Sequence, residues 1–196
     1  MKRIYVSLAA LVGFALTLTA HATAIEFTFT GSGINYSLNG NAGIGDMTVV
    51  FDTDTSLITS PAPGVVGYSG LTGNITISGV GSGTFDAAYV FDNQEAEAVG
   101  FGIASDLYDL FVSGAGLDSY DMTTPFGPVL ATSDQIFLSQ WIDVSTSLGT
   151  LSVTSADSGS FVATIPVTPS VPEPATLGLL GLGLAGIGFA RRTRKG

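Results

Sequence analysis

The sequence predicts an all-β domain of the antiparallel two-sheet sandwich or jelly-roll class. Three observations carry that expectation. Short runs of alternating polar and apolar residues recur from Ile25 onward. Gly, Asn, Asp, Ser or Pro separates most of these runs. Between residues 25 and 165 no stretch sustains an apolar period of 3.6, and only residues 93–99 suit a single short turn.

Taken in order, residues 26–30 (Glu-Phe-Thr-Phe-Thr) alternate, as do residues 34–38 (Ile-Asn-Tyr-Ser-Leu). The second run meets Asn39-Gly40, the dipeptide that best fits a two-residue hairpin because both residues tolerate positive φ. Further strands are expected at 47–51, 65–68, 74–78, 84–91, 98–103, 107–112, 135–144, 150–154 and 160–165. Phe85, Tyr89, Phe91, Phe101, Leu107, Phe111, Phe137, Trp141 and Phe161 are expected to fill the space between the sheets. No repeat of fixed period marks a solenoid, and the scattered threonines form no repeated array of the kind an ice-binding face needs.

The two ends are of another kind. Lys2 and Arg3 precede an apolar stretch over 4–18, followed by Ala20-His21-Ala22 and Ala22-Thr23-Ala24. That order predicts a secretory signal peptide over 1–24, cut after Ala22 or Ala24. The domain then occupies 25–165, with a Pro-rich linker over 166–171. Residues 172–196 form a tail: Pro172-Glu173-Pro174, an uncharged run over 175–190, and a basic end over 191–196. Sixteen helical residues rise roughly 24 Å, so a membrane helix over about 175–190 is expected, with snorkelling by the flanking basic side chains. Arg191, Arg192, Arg194 and Lys195 would act as a membrane stop. The positive-inside rule places both basic ends in the cytoplasm and residues 25–170 outside it.

Charge narrows the chemistry of the domain. All six basic residues lie at the two ends, and the single histidine, His21, lies in the leader. The chain has no cysteine. Residues 25–170 therefore hold acids with no side-chain cation among them. A Ser-His-Asp or Cys-His arrangement and a Schiff-base lysine are excluded. So are zinc and haem sites that need His or Cys, and nucleic acid finds no Lys or Arg to hold its phosphates. At roughly 145 residues the domain is large enough to bury a core without disulfides.

Carboxylates and aromatics remain. Glu95 and Glu97, with Asp86 and Asp92 near in sequence, are the acids from which a two-carboxylate glycosidase would have to be built. Solvated acidic loops are the commoner outcome. No cofactor is expected. Ca²⁺ is the one ion whose ligand types are present, with weak candidates in the pairs Asp52, Asp54 and Asp118, Asp121, which serve equally as turn formers. Trp141, with Tyr68, Tyr108 and Tyr120, is a weak candidate platform for sugar rings, core packing being the usual fate of such a tryptophan.

The tail carries a family resemblance. Val171, Pro172, Glu173 and Pro174, the Leu/Gly-rich run and the closing Arg191-Arg192 resemble the PEP-CTERM sorting signal of Gram-negative bacteria. The resemblance covers the C-terminal tail only. It implies export through the secretion machinery, transient anchoring in the inner membrane, and processing by an exosortase. It further implies delivery to the cell surface or extracellular matrix and a link to exopolysaccharide and biofilm. The leading expectation is a non-enzymatic exported protein with no nucleic-acid partner. The alternatives are a carbohydrate-binding β-sandwich module and a carboxylate-only hydrolase.

Overall fold

The structure, a computed structural model, describes residues 22–103, 110–132, 136–137 and 141–166. They form twelve strands: β1 (Ala24–Leu38), β2 (Asn41–Asp54), β3 (Thr59–Ala62), β4 (Val65–Ile77), β5 (Gly81–Asn93), β6 (Ala98–Ile103), β7 (Leu110–Ser113), β8 (Phe126–Thr132), β9 (Ile136–Phe137), β10 (Val144–Thr146), β11 (Gly149–Ser155) and β12 (Ser158–Thr164). A 3-10 turn at Thr55–Leu57 interrupts them. Among the described residues no helix is long and apolar enough to cross a membrane. Residues 1–21 of the signal peptide expected over 1–24, and the helix expected over 175–190, lie outside the described residues.

The all-β, antiparallel expectation holds, but the strands are not divided between two sheets. They form one twelve-stranded sheet that runs β10-β11-β1-β2-β4-β5-β6-β7-β9, with β12 between β1 and β8 and with β3 on β4. The sheet curls until its own inner face meets itself. Phe29 on β1 and Phe101 on β6 lie four strands apart along the sheet, yet their ring centroids are 4.8 Å apart. β7 likewise approaches β8 and β12 without pairing to them.

Strand length explains the single sheet. Runs that read as separate strands, 26–30 with 34–38 and 65–68 with 74–78, fuse into β1 and β4. β1 pairs along its first half with β12 (Glu26 opposite Thr164, Ser32 opposite Ser158) and along its second half with β11 (Asn35 opposite Ser155, Leu38 opposite Leu151). The irregularity between Gly31 and Ile34, where Gly33 sits at φ +61°, lets one strand serve both partners. The Asn39-Gly40 hairpin is as expected, with φ of 52° and 81° joining β1 to β2. β3 and β8 are strands that the alternation did not announce, since Thr59–Ala62 and Phe126–Thr132 each contain a proline.

The core is aromatic. Phe27, Phe29, Phe51, Phe85, Phe101, Trp141 and Phe161 are buried and linked ring to ring, with Phe85 and Phe101 meeting Trp141 edge-on at 5.4 and 5.6 Å. Such pairs add about 0.5–1.5 kcal/mol each beyond the area they bury. At Gly73 a side chain would collide with Phe85 and Phe51, so glycine there lets both rings lie against the backbone. Two expected core residues lie off the main aromatic cluster, Tyr89 half-buried and Phe91 buried. Ala88, Val90 and Asp92 point inward on β5, which puts Tyr89 and Phe91 on its opposite face, their rings 5.5 Å apart. The register shifts between Ser69, Leu71 and Gly73 of β4 reverse the parity of β5 after Phe85, and sequence alternation cannot register that reversal. Leu107 lies outside the described residues.

Candidate functional site

The acids singled out from sequence are dispersed by the fold. Asp52 is exposed on β2 opposite Glu26. Asp54 accepts from the Ser56 amide at 2.8 Å and caps the 3-10 turn; its bonds to Ser56 hold the carboxyl below its ordinary range. Asp118 and Asp121 lie in the loop between β7 and β8, where Asp121 accepts from the Thr123 amide at 2.9 Å. Among the described residues no group of three or more His, Cys, Asp or Glu side chains is arranged to hold a metal ion. Asp86 is exposed and accepts from the Thr72 hydroxyl at 2.8 Å, while Glu95 and Glu97 are exposed on the β5–β6 turn. Asp92 faces inward, so these four acids do not converge on one cleft.

Trp141 does not present a platform either. It is fully buried against Phe85 and Phe101, and Tyr68 and Tyr120 are buried too; Tyr108 lies outside the described residues. Trp141, a weak candidate for a sugar platform, takes the commoner fate of core packing to which its apolar neighbours in sequence point. Ala22 and Ala24 are exposed at the start of the described chain, with β1 beginning at Ala24. Val171, Pro172, Glu173, Pro174, Arg191, Arg192, Arg194 and Lys195 lie outside the described residues.

Two features escaped sequence reasoning. The first is Asp92, the one charged residue type buried among the described residues, with neither carboxyl oxygen hydrogen-bonded. Burial, reinforced by the negative charge of Asp118, pushes its pKa up to about 7. Burial, Tyr68, Asp121 and Asp92 itself raise Tyr120, and Tyr68 is in turn raised to about 12 by burial and by Asp121 and Asp54. The loop over this end is tied down by three bonds. The Tyr68 hydroxyl donates to the Met122 carbonyl at 2.9 Å, Gln94 Nε2 donates to the Tyr120 carbonyl at 2.9 Å, and the Gly114 amide donates to the Glu97 carbonyl at 3.2 Å.

The second is a hydroxyl row on the outer face. Ser160 of β12, Thr30 of β1, Thr48 of β2, Thr76 of β4 and Ser82 of β5 lie directly opposite one another across five neighbouring strands. Thr30 and Ser160 hydroxyls are 2.6 Å apart and those of Thr76 and Ser82 are 2.8 Å apart. At about 4.8 Å per strand the row spans roughly 19 Å. It continues at its β12 end into an open cleft of about 400 Å³ lined by Ser32, Ser158, Ser160, Thr30 and Thr132, with the exposed Leu130 at its margin. Threonines scattered in sequence are gathered by register, which is set by long-range pairing and is invisible to a linear reading.

No curated protein and no solved structure matches the chain. A family model does match at the C-terminus, over the residues whose motif, apolar run and basic end had suggested it. Residues 170–195 are a PEP-CTERM protein-sorting motif, the mark of an exported, exosortase-targeted surface protein.

Proposed function

We propose that this chain is a non-enzymatic protein of the cell surface or extracellular matrix of a Gram-negative bacterium. It is held in the inner membrane by its tail until an exosortase removes that tail, and it then works in the exopolysaccharide of a biofilm. The observation that carries this reading is the sorting motif at 170–195. The absence of Lys, Arg, His and Cys from residues 25–170 supports the non-enzymatic part, because it leaves only carboxylates, hydroxyls and amides for chemistry. The dispersal of Asp86, Asp92, Glu95 and Glu97 supports it further. Replacing Pro172-Glu173-Pro174 with alanines is expected to leave the protein in the inner-membrane fraction on immunoblots of fractionated cells. Undiminished release would overturn the sorting role.

A second reading, a carbohydrate-binding module, is favoured by the hydroxyl row. Hydroxyls donate and accept alike, as the groups of a neutral polysaccharide do. With no side-chain cation in the domain, an acidic polymer would gain no ion pair. Affinity electrophoresis through neutral glucans is expected to retard the wild type and not the triple variant Thr30→Val, Thr48→Val, Thr76→Val. Equal mobility of the two proteins would end this reading.

A further inference from the structure

Asp92 poses a chemical problem that the domain cannot solve with a side chain. It is fully buried, both its oxygens lack hydrogen-bond partners, and no Lys, Arg or His exists between residues 25 and 165 to pair with it. Its register neighbours are apolar, Val66 on β4 and Val99 on β6. The ionisable groups in electrostatic reach of it are acidic, Asp118 and Tyr120 of the β7–β8 loop; Asp121 and Tyr68 act in turn on Tyr120, Asp54 acts on Tyr68, and Glu95 and Glu97 are exposed on the β5–β6 turn. An ionised carboxylate here would be both desolvated and repelled.

The β7–β8 loop is fastened at this end of the sheet by its bonds to Tyr68, Gln94 and Glu97. Its own Leu117, Tyr120 and Met122 are buried, and Met122 is held at φ +58°, a left-handed conformation that costs a methionine of order 1 kcal/mol. The loop is thus a strained segment closed over a carboxyl group, with Asp118 on its outer side and in electrostatic reach of Asp92. We infer that Asp92 and the loop over residues 114–125 form a pH-sensitive latch, closed while the Asp92 carboxyl carries its proton and loosened when that proton leaves.

The direction follows from linkage. With the loop closed, Asp92 keeps its proton up to about pH 7. With the loop open and the carboxyl in water, it ionises at its ordinary value of 3.8. The closed form therefore binds more protons throughout that window, and opening is favoured as pH rises through it, by up to tenfold per unit. Below the window both forms are protonated, and above it both are ionised, so the response has a plateau on either side. The step is a proton transfer from the carboxyl to solvent and needs no other reactant.

The latch is tested by hydrogen exchange on the full chain in detergent micelles, corrected for the intrinsic pH dependence of exchange. Between about pH 5 and pH 8 the protection of amides 117–122 is expected to fall by tenfold to a hundredfold in the wild type. Asp92→Asn, neutral at every pH, is expected to flatten that response. Asp118→Asn removes the nearby like charge and is expected to move the midpoint to lower pH. A flat wild-type profile, or a response that survives Asp92→Asn, would overturn the latch. Should Asp92→Asn fail to fold, an unmoved midpoint in Asp118→Asn overturns it as well. Restoration of protection at pH 8 by millimolar calcium would also overturn it, because the carboxyl would then be serving a cation. The result is independent of sorting, which the tail variant reads in cell fractions.

Discussion

The aromatic interior and the loop-covered end of the domain bury comparable groups by opposite means. In the interior, Phe29, Phe51, Phe85, Phe101 and Trp141 meet ring to ring, and the ladder around them satisfies the backbone. At the covered end, Tyr68 and Tyr120 reach backbone carbonyls of the loop, while Asp92 reaches nothing. The first region is stable whatever the solution conditions short of unfolding. The second depends on a proton. In a domain without basic side chains, every buried acid must take that second course or bind a cation.

The comparison breaks most sharply at Phe101. Phe101→Ala opens a cavity beside Phe29, Phe51, Phe85 and Trp141, and about 3–5 kcal/mol of stability is expected to go, at every pH alike, in urea unfolding. At Asp92 the expected effect is smaller and depends on pH. The folded-state pKa is raised, so the contribution of the neutral group is intact below the ordinary carboxylate value and lost as pH climbs toward 7. Asp92→Asn is therefore expected to be more stable than wild type at pH 8, by roughly 1–3 kcal/mol after allowance for screening by nearby solvent, and to lose that advantage near pH 4. A constant difference across that range would show that Asp92 acts through packing alone. The outer hydroxyls should matter least. The triple Thr→Val variant of the row is expected to unfold within about 0.5 kcal/mol per site of the wild type, since β-branched shape and strand preference are kept. A larger loss would mean that the row is structural, and its glycan binding would have to be judged on a destabilised protein.

How much of this was legible beforehand depends on distance along the chain. The class of fold, the Asn39-Gly40 hairpin, β6 at its full extent and the inward Phe85, Phe101 and Phe161 follow from local alternation and turn chemistry. The sorting tail was legible because its signal is a contiguous order of residue types. The single curled sheet was not, because it rests on β1 changing partners at Gly33. Nor were the inward Asp92 and the placing of Tyr89 and the buried Phe91 on the other face of β5, because the register shifts of β4 reverse which residues of β5 face the main core. The hydroxyl row needs five strands brought into register before it exists at all. Burial of Trp141 lay between these cases: its apolar neighbours announced it, yet the same residue also suited a sugar platform.

The pairing of β1 with β12 has a consequence for the order of assembly. The two strands join residues 130 apart, as the Thr30–Ser160 contact shows. In a chain supplied from its N-terminus, as in synthesis, β1 emerges early and its partner strand last. Closure of the sheet must then await the last strand, and a topology so dominated by distant contacts folds slowly. The domain thus stays open along one edge of β1 until its final strand is at hand, and closes only when nearly all of it is present.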